Sequence, residues 1–202
     1  MSYTPRTNSV VPSEDDMATA ESQVRYTQEE YVRMAQAGVF GDRRVELVDG
    51  VVYEMTPQLS PHAATVMQAQ EVLRAVFSPG FSIRPQMPLD LGLTSMPEPD
   101  LAVVPGTPRD YYSAHPTGAV LILEVTDTSQ HHDRKRKAGD YATAGIQDYW
   151  IVNLLRDVLE VHRDPLDGTY WTRQVLRRGE SLAPLARPEA RIAVDDLLPL
   201  EP

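Results

Sequence analysis

Two carboxylates stand where apolar strands meet polar chain. Asp100 precedes the run Leu101-Ala102-Val103-Val104, and Glu124 interrupts the most apolar stretch, Ala119 to Val125. A carboxylate in such a place costs several kcal/mol, of order ~3, if it is left unpaired and dry. Hard cations such as Mg2+ take oxygen ligands, commonly one or two carboxylates with water and phosphate oxygens. Two strand-borne acids that converge would make such a site. Glu46, within Val45 to Val48, shares a strand face with Val48 by alternation and is a third candidate. The competing reading has each acid paired with an arginine or capping a backbone amide.

Beyond Glu124 comes a basic segment, Asp133-Arg134-Lys135-Arg136-Lys137. On a helix, Asp133, Lys137 and Tyr141 fall on one face at i, i+4 and i+8. Lys137 could face the cavity of Glu124 and stabilise developing negative charge. It could equally form a solvated ion pair with Asp133, worth about 0.3–0.5 kcal/mol. His62, His131 and His132 are available as ligands or bases, but no HxxxH or HExxH pattern occurs. GxSxG, P-loop and GxGxxG patterns are also missing from the sequence. Tyr149 and Trp150 read as core residues.

The elements that must position these groups have clear signals. Thr27 and Glu30 form a capping box, with Tyr26 and Tyr31 at staple positions and Gly38 at the stop, which predicts a helix over Gln28 to Ala37. Two β-rich runs flank Asp49-Gly50, a hairpin signal. Ser60-Pro61 opens a second helix, with Val66, Ala69, Leu73 and Val76 at helical spacing and Ser78-Pro79-Gly80 as the stop. Alternation predicts a strand over Phe81 to Leu91, with Pro85 and Pro88 marking it as an edge. Leu101 to Val104 and Ala119 to Val125 follow as strands, the second central to the sheet. A short helical turn near Tyr111-Tyr112 lies between them. A helix over Asp133 to Ala144, a strand over Gln147 to Asn153, and a hairpin of Val158 to Arg163 with Thr169 to Val175 complete the pattern. This order predicts an α/β or α+β sheet with helices packed on it, in a single domain over 25–202. Met1 to Val24 reads as a loosely attached tail, with the acidic run Glu14-Asp15-Asp16.

The 202-residue chain has no cysteine, which excludes disulfides, thiolate zinc sites and cysteine nucleophiles and agrees with a cytoplasmic setting. It shows neither an 18-residue apolar run nor a signal-peptide pattern. The net charge of −10 argues against general nucleic-acid binding, so any such role needs a local basic patch. Arg134, Lys135 and Arg136 are the candidates for phosphate contacts.

One ordered set of residues carries a resemblance. It comprises Glu46-Leu47-Val48-Asp49-Gly50 with Met55, Ser60-Pro61-His62, and Pro99-Asp100-Leu101. It continues with Glu124-Val125-Thr126-Asp127-Thr128-Ser129, then Asp133, Lys137 and Tyr141, then Ala144-Gly145-Ile146 and Tyr149-Trp150-Ile151-Val152. From about Tyr26 to Arg163 the chain resembles the Uma-two family of restriction-endonuclease-like proteins, within the PD-(D/E)XK nuclease superfamily. The resemblance implies a restriction-endonuclease-like core, a mixed central sheet flanked by helices, and hydrolysis of DNA phosphodiesters. It implies that Asp100, Glu124 and Glu46 hold Mg2+ or Mn2+, which activates water and offsets charge on the leaving oxygen. His62, Asp133 and Tyr141 would support them. Thr126 stands where the superfamily lysine is expected, and the resemblance moves that role to Lys137, with Asp133 orienting it. Asn153 replaces an acid common in the family. DNA is the implied partner, and a homodimer would suit duplex cleavage. The charge and the residue at 126 leave a second reading open: a catalytically inactive binding or assembly module that keeps the fold.

Overall fold

The structure, a computed structural model, describes residues 23–127 and 131–199; the side chains of residues 131–135 lie outside the described set. Almost all of the expected tail, Met1 to Val24, therefore falls outside it.

Helix α1, Gln28–Gln36, starts at Thr27, whose side chain and that of Glu30 form the reciprocal capping box. Strands β1 (Val45–Val48) and β2 (Val51–Glu54) pair antiparallel. Their two-residue connection needs positive φ twice, and Asp49 (46°) and Gly50 (75°) supply it. Helix α2, Ser60–Phe77, carries Pro61 in its first turn and buries Val66, Ala69, Leu73 and Phe77.

The main sheet has six strands in the order β3-β4-β5-β6-β7-β8. They are Phe81–Pro85, Leu101–Pro105, Leu121–Thr126, Asp148–Asn153, Val158–Leu166 and Thr169–Leu176. Only β5 and β6 pair in parallel, and helix α3 (His131–Thr143) makes that crossover. The other neighbours are antiparallel, so the sheet is mixed. A short ladder of β9 (Ser181–Leu182) with β10 (Ile192–Ala193), then α4 (Val194–Leu197), close the described chain.

Alternation divides the core between the two faces. Leu101, Val103, Leu121, Leu123, Trp150 and Val152 pack with α2 and α4 on one side. Ala102, Val104, Ile122, Tyr149 and Ile151 pack with Tyr141 and Ile146 on the other. Ile122 and Glu124 share a strand face, so Glu124 lies on the α3 side. Trp150 is core as expected, and Tyr149 is buried but also lines a cavity.

Several boundaries differ from the sequence reading. The strand expected over Phe81 to Leu91 ends at Pro85. Gln86 takes a positive φ of 49°, and Leu89 is buried from irregular chain whose amide bonds to Pro97 O. The apolar alternation there does not mark one buried face, since Leu89 is buried and Met87 is exposed. The central strand is Leu121–Thr126, not Ala119 to Val125, and the third helix begins two residues early at His131. Among the described residues no helix is long and apolar enough to cross a membrane.

The fully buried Asp148 ties the sheet to the C-terminal segment. It accepts hydrogen bonds from Arg163 Nε (2.9 Å), Trp150 Nε1 (2.6 Å) and the Leu185 amide (2.8 Å). Asp148→Ala strands these donors and should cost about 3–5 kcal/mol, measured as a lower urea midpoint with an unchanged m-value. A loss below about 1 kcal/mol would show that the cluster is dispensable.

Candidate active site

Register brings the two acids together. Leu101 pairs with Leu123, so Asp100 stands one step further along, beside Glu124. Each carboxylate is held by the other's strand. The Asp100 amide donates to Glu124 Oε2 (3.1 Å), and the Val125 amide donates to Asp100 Oδ2 (2.8 Å). The first turn of α2 delivers His62, whose Nε2 lies 3.1 Å from Asp100 Oδ1. Gln58 Nε2 is 3.4 Å from the same oxygen.

Helix α3 supplies the opposite wall. Lys137 and Tyr141 are one turn apart and both buried. Lys137 Nζ lies 2.8 Å from Glu46 Oε1 and 3.8 Å from Glu124 Oε1. The Tyr141 hydroxyl donates to Glu124 Oε1 (2.8 Å). The alternative of a solvated lysine is thus excluded by its burial. Thr126, two residues past Glu124 on the same strand face, lines the cavity that Lys137 enters from the helix. That cavity is about 290 Å³ and is bordered by Glu46, His62, Asp100, Glu124, Arg136 and Lys137 among others.

The resemblance implies Glu46 as a metal ligand beside Asp100 and Glu124, and the structure brings all three to one cavity. Glu46 Oε1 faces Lys137 and its Oε2 accepts the Glu98 amide (3.0 Å), so both oxygens are engaged. Among the described residues no group of three His, Asp or Glu side chains converges to hold an ion. Glu46 is thus the carboxylate nearest Lys137, and Asp100 with Glu124 fits a Mg2+-type ion, which needs only one or two carboxylates.

Arg136 places its guanidinium 3.9 Å from the centre of the Tyr53 ring at the cavity rim and also bonds the Tyr53 hydroxyl. The expectations for Asp133, Arg134 and Lys135 fall on side chains outside the described set. Sequence reasoning missed Gln58, Tyr53 and Asp127 as cavity residues. Asp127 was visible in the quoted Glu124-to-Ser129 stretch, whereas nothing local marks Gln58 or Tyr53.

The electrostatics follow from burial and partners. Burial pushes the Glu124 carboxyl up to about 7, against the pull of Lys137, and the Asp100 charge adds to the rise. Burial also opposes ionisation of Asp100, but His62, the Val125 amide and Lys137 outweigh it and hold this carboxyl below its usual value. His62 loses by burial yet is raised overall by Asp100, then Asp127 and Glu124. The Tyr141 phenol is raised well above its usual value by burial and by Glu124, so it remains a donor.

The cation between two buried acids gives a sign-specific test. Glu124 has a folded pKa of about 7 against an ordinary 4.5. Between those values the folded state holds a proton that the unfolded state lacks, so this group's contribution to stability falls as pH rises. Lys137→Met removes the charge that limits the shift and should steepen the fall. Urea unfolding of both proteins should show a penalty at pH 8 larger than at pH 5.5 by at least about 1 kcal/mol. A penalty independent of pH would contradict the ion-pair account.

Comparison with known proteins agrees with this architecture. The family model Uma2 (Uma-two), described as "Putative restriction endonuclease", matches residues 28–195. A solved structure from Anabaena variabilis, titled as a putative nuclease belonging to DUF820, aligns with a TM-score of 0.67 at 17% identity. The alignment covers 85% of this chain and 96% of that one, and at this identity it shows the fold. No curated protein matches the chain. With a mixed sheet of that fold and a family match over most of its length, the chain belongs to the Uma2 family.

Proposed function

We propose that this protein is a metal-dependent nuclease that hydrolyses DNA phosphodiester bonds. The observation that carries the reading is Lys137 in one cavity with Asp100 and Glu124. The family's description as a restriction endonuclease supports it. Asp100 and Glu124 would hold Mg2+ or Mn2+, which supplies a Lewis acid and an activated water for phosphodiester hydrolysis. Lys137, oriented by Glu46, offers fixed positive charge where negative charge builds on the phosphate. Tyr141 fixes one Glu124 oxygen and the Asp100 amide fixes the other. Arg136, at the rim with Tyr53, would meet the phosphate backbone, with Arg134 and Lys135 preceding it on the same helix. This local basic segment is what an otherwise acidic chain needs to approach DNA. The missing lysine at position 126 motivated the inactive-module reading. A lysine reaching Glu124 from α3 weighs against it.

Plasmid nicking with Mg2+ or Mn2+ should fall at least about 100-fold in both Asp100→Ala and Glu124→Ala. Equal activity in wild type and both variants would overturn the proposal. Ion binding should also weaken as pH drops below about 7, because the Glu124 proton must leave first. Calorimetry at pH 6 and 8 reads this directly, and stronger binding at pH 6 would exclude Glu124 from the ion's surroundings.

A further inference from the structure

We propose that His62 is a direct ligand of the divalent ion, and that its imidazole tilts the site towards a first-row transition ion such as Co2+ over Mg2+. The inference rests on the reading of Asp100 as a metal carboxylate.

The geometry is that of two donors already side by side. Octahedral ligands at about 2.0–2.1 Å from an ion stand about 3.0 Å from their neighbours. His62 Nε2 and Asp100 Oδ1 are 3.1 Å apart. One ion could therefore meet both with little rearrangement. The Val125 amide already occupies Asp100 Oδ2, which leaves Oδ1 as the oxygen directed at His62 and Gln58. Both side chains are largely withdrawn from solvent, at 14% and 11% exposure, so their placement is set by packing. Backbone elements fix it on both sides: Asp100 by its register beside β5, and His62 by the first turn of a long helix whose Val66, Ala69 and Leu73 are in the core.

Glu124 is engaged differently. One of its oxygens faces Tyr141 and Lys137, and the other faces the Asp100 amide. With Glu124 as the second carboxylate of the proposed site, the ion would draw on one nitrogen and two carboxylate groups from the protein, with water and substrate oxygens completing its shell. With so few protein donors, the imidazole decides selectivity. Mg2+ favours oxygen ligands, whereas imidazole suits the later first-row ions, whose affinity for nitrogen sites rises from Mn2+ to Ni2+.

The test is calorimetric titration of the full chain, free of any histidine tag, with cobalt(II) and with magnesium chloride. Wild type, His62→Gln and His62→Ala are compared. Glutamine retains an amide donor for Asp100, so a residue that merely braces Asp100 would be spared by this change. The expected result is a fall of about tenfold or more in the Co2+-to-Mg2+ affinity ratio for both variants. Pulsed EPR of the Mn2+-loaded wild type provides a measurement that does not depend on a variant's folding. It should reveal a directly bound nitrogen. An unchanged ratio in His62→Gln, or no bound nitrogen in wild type, overturns the inference while leaving the carboxylate site intact. Failure of the wild type to bind either ion overturns both.

Discussion

The arrangement depends on a buried ammonium. Lys137 comes from α3, Glu46 from the β1–β2 hairpin and Glu124 from the centre of the main sheet, and the three meet inside the protein. Removing these charges from water is costly, and their mutual attraction repays it only in good geometry. The same contact therefore fixes the hairpin against the sheet and closes one wall of the cavity. Glu46 is held from behind by the Glu98 amide, so its position is set before it meets the lysine.

A second constraint acts beside the first. Asp100 and Glu124 are braced by amides on each other's strands, an exchange that only antiparallel register can produce. It directs one oxygen of Asp100 towards His62 and keeps Glu124 near the lysine. The carboxylates consequently differ in character although they are neighbours. Burial dominates Glu124 and raises its pKa, while hydrogen bonds and opposite charge dominate Asp100 and lower it. Two adjacent acids with opposite shifts are a recurrent arrangement where chemistry near neutral pH is required.

Much of the local structure was legible because its causes are local. The capping box at Thr27 and Glu30 needs only four residues, and the β1–β2 turn needs only Asp49 and Gly50 to accept positive φ. The crossover from β5 through α3 to β6 followed from an apolar run, a polar turn and a stop at Gly145, whose φ is 73°. Alternation misled at Phe81 to Leu91, because beyond Pro85 the apolar residues no longer share a face: Leu89 is buried while Met87 is exposed. The proline positions and the positive φ at Gln86 mark where the strand ends.

By itself the sequence determined the element order, the mixed sheet, and the candidate acids Asp100 and Glu124, since an acid at an apolar strand is anomalous on one-dimensional grounds. Helical spacing left Lys137 either solvated or facing the acids, and the family resemblance is what singled it out. What tertiary structure decided was pairing. Whether Lys137 faced water or the acids depended on how α3 packs on the sheet. Glu46 as a partner of Lys137, and His62 as a neighbour of Asp100 from 38 positions away, depended on the hairpin and α2 reaching the same end of it. Spacing along the chain encodes which face a residue occupies, but which faces meet is settled only when the distant elements share one core.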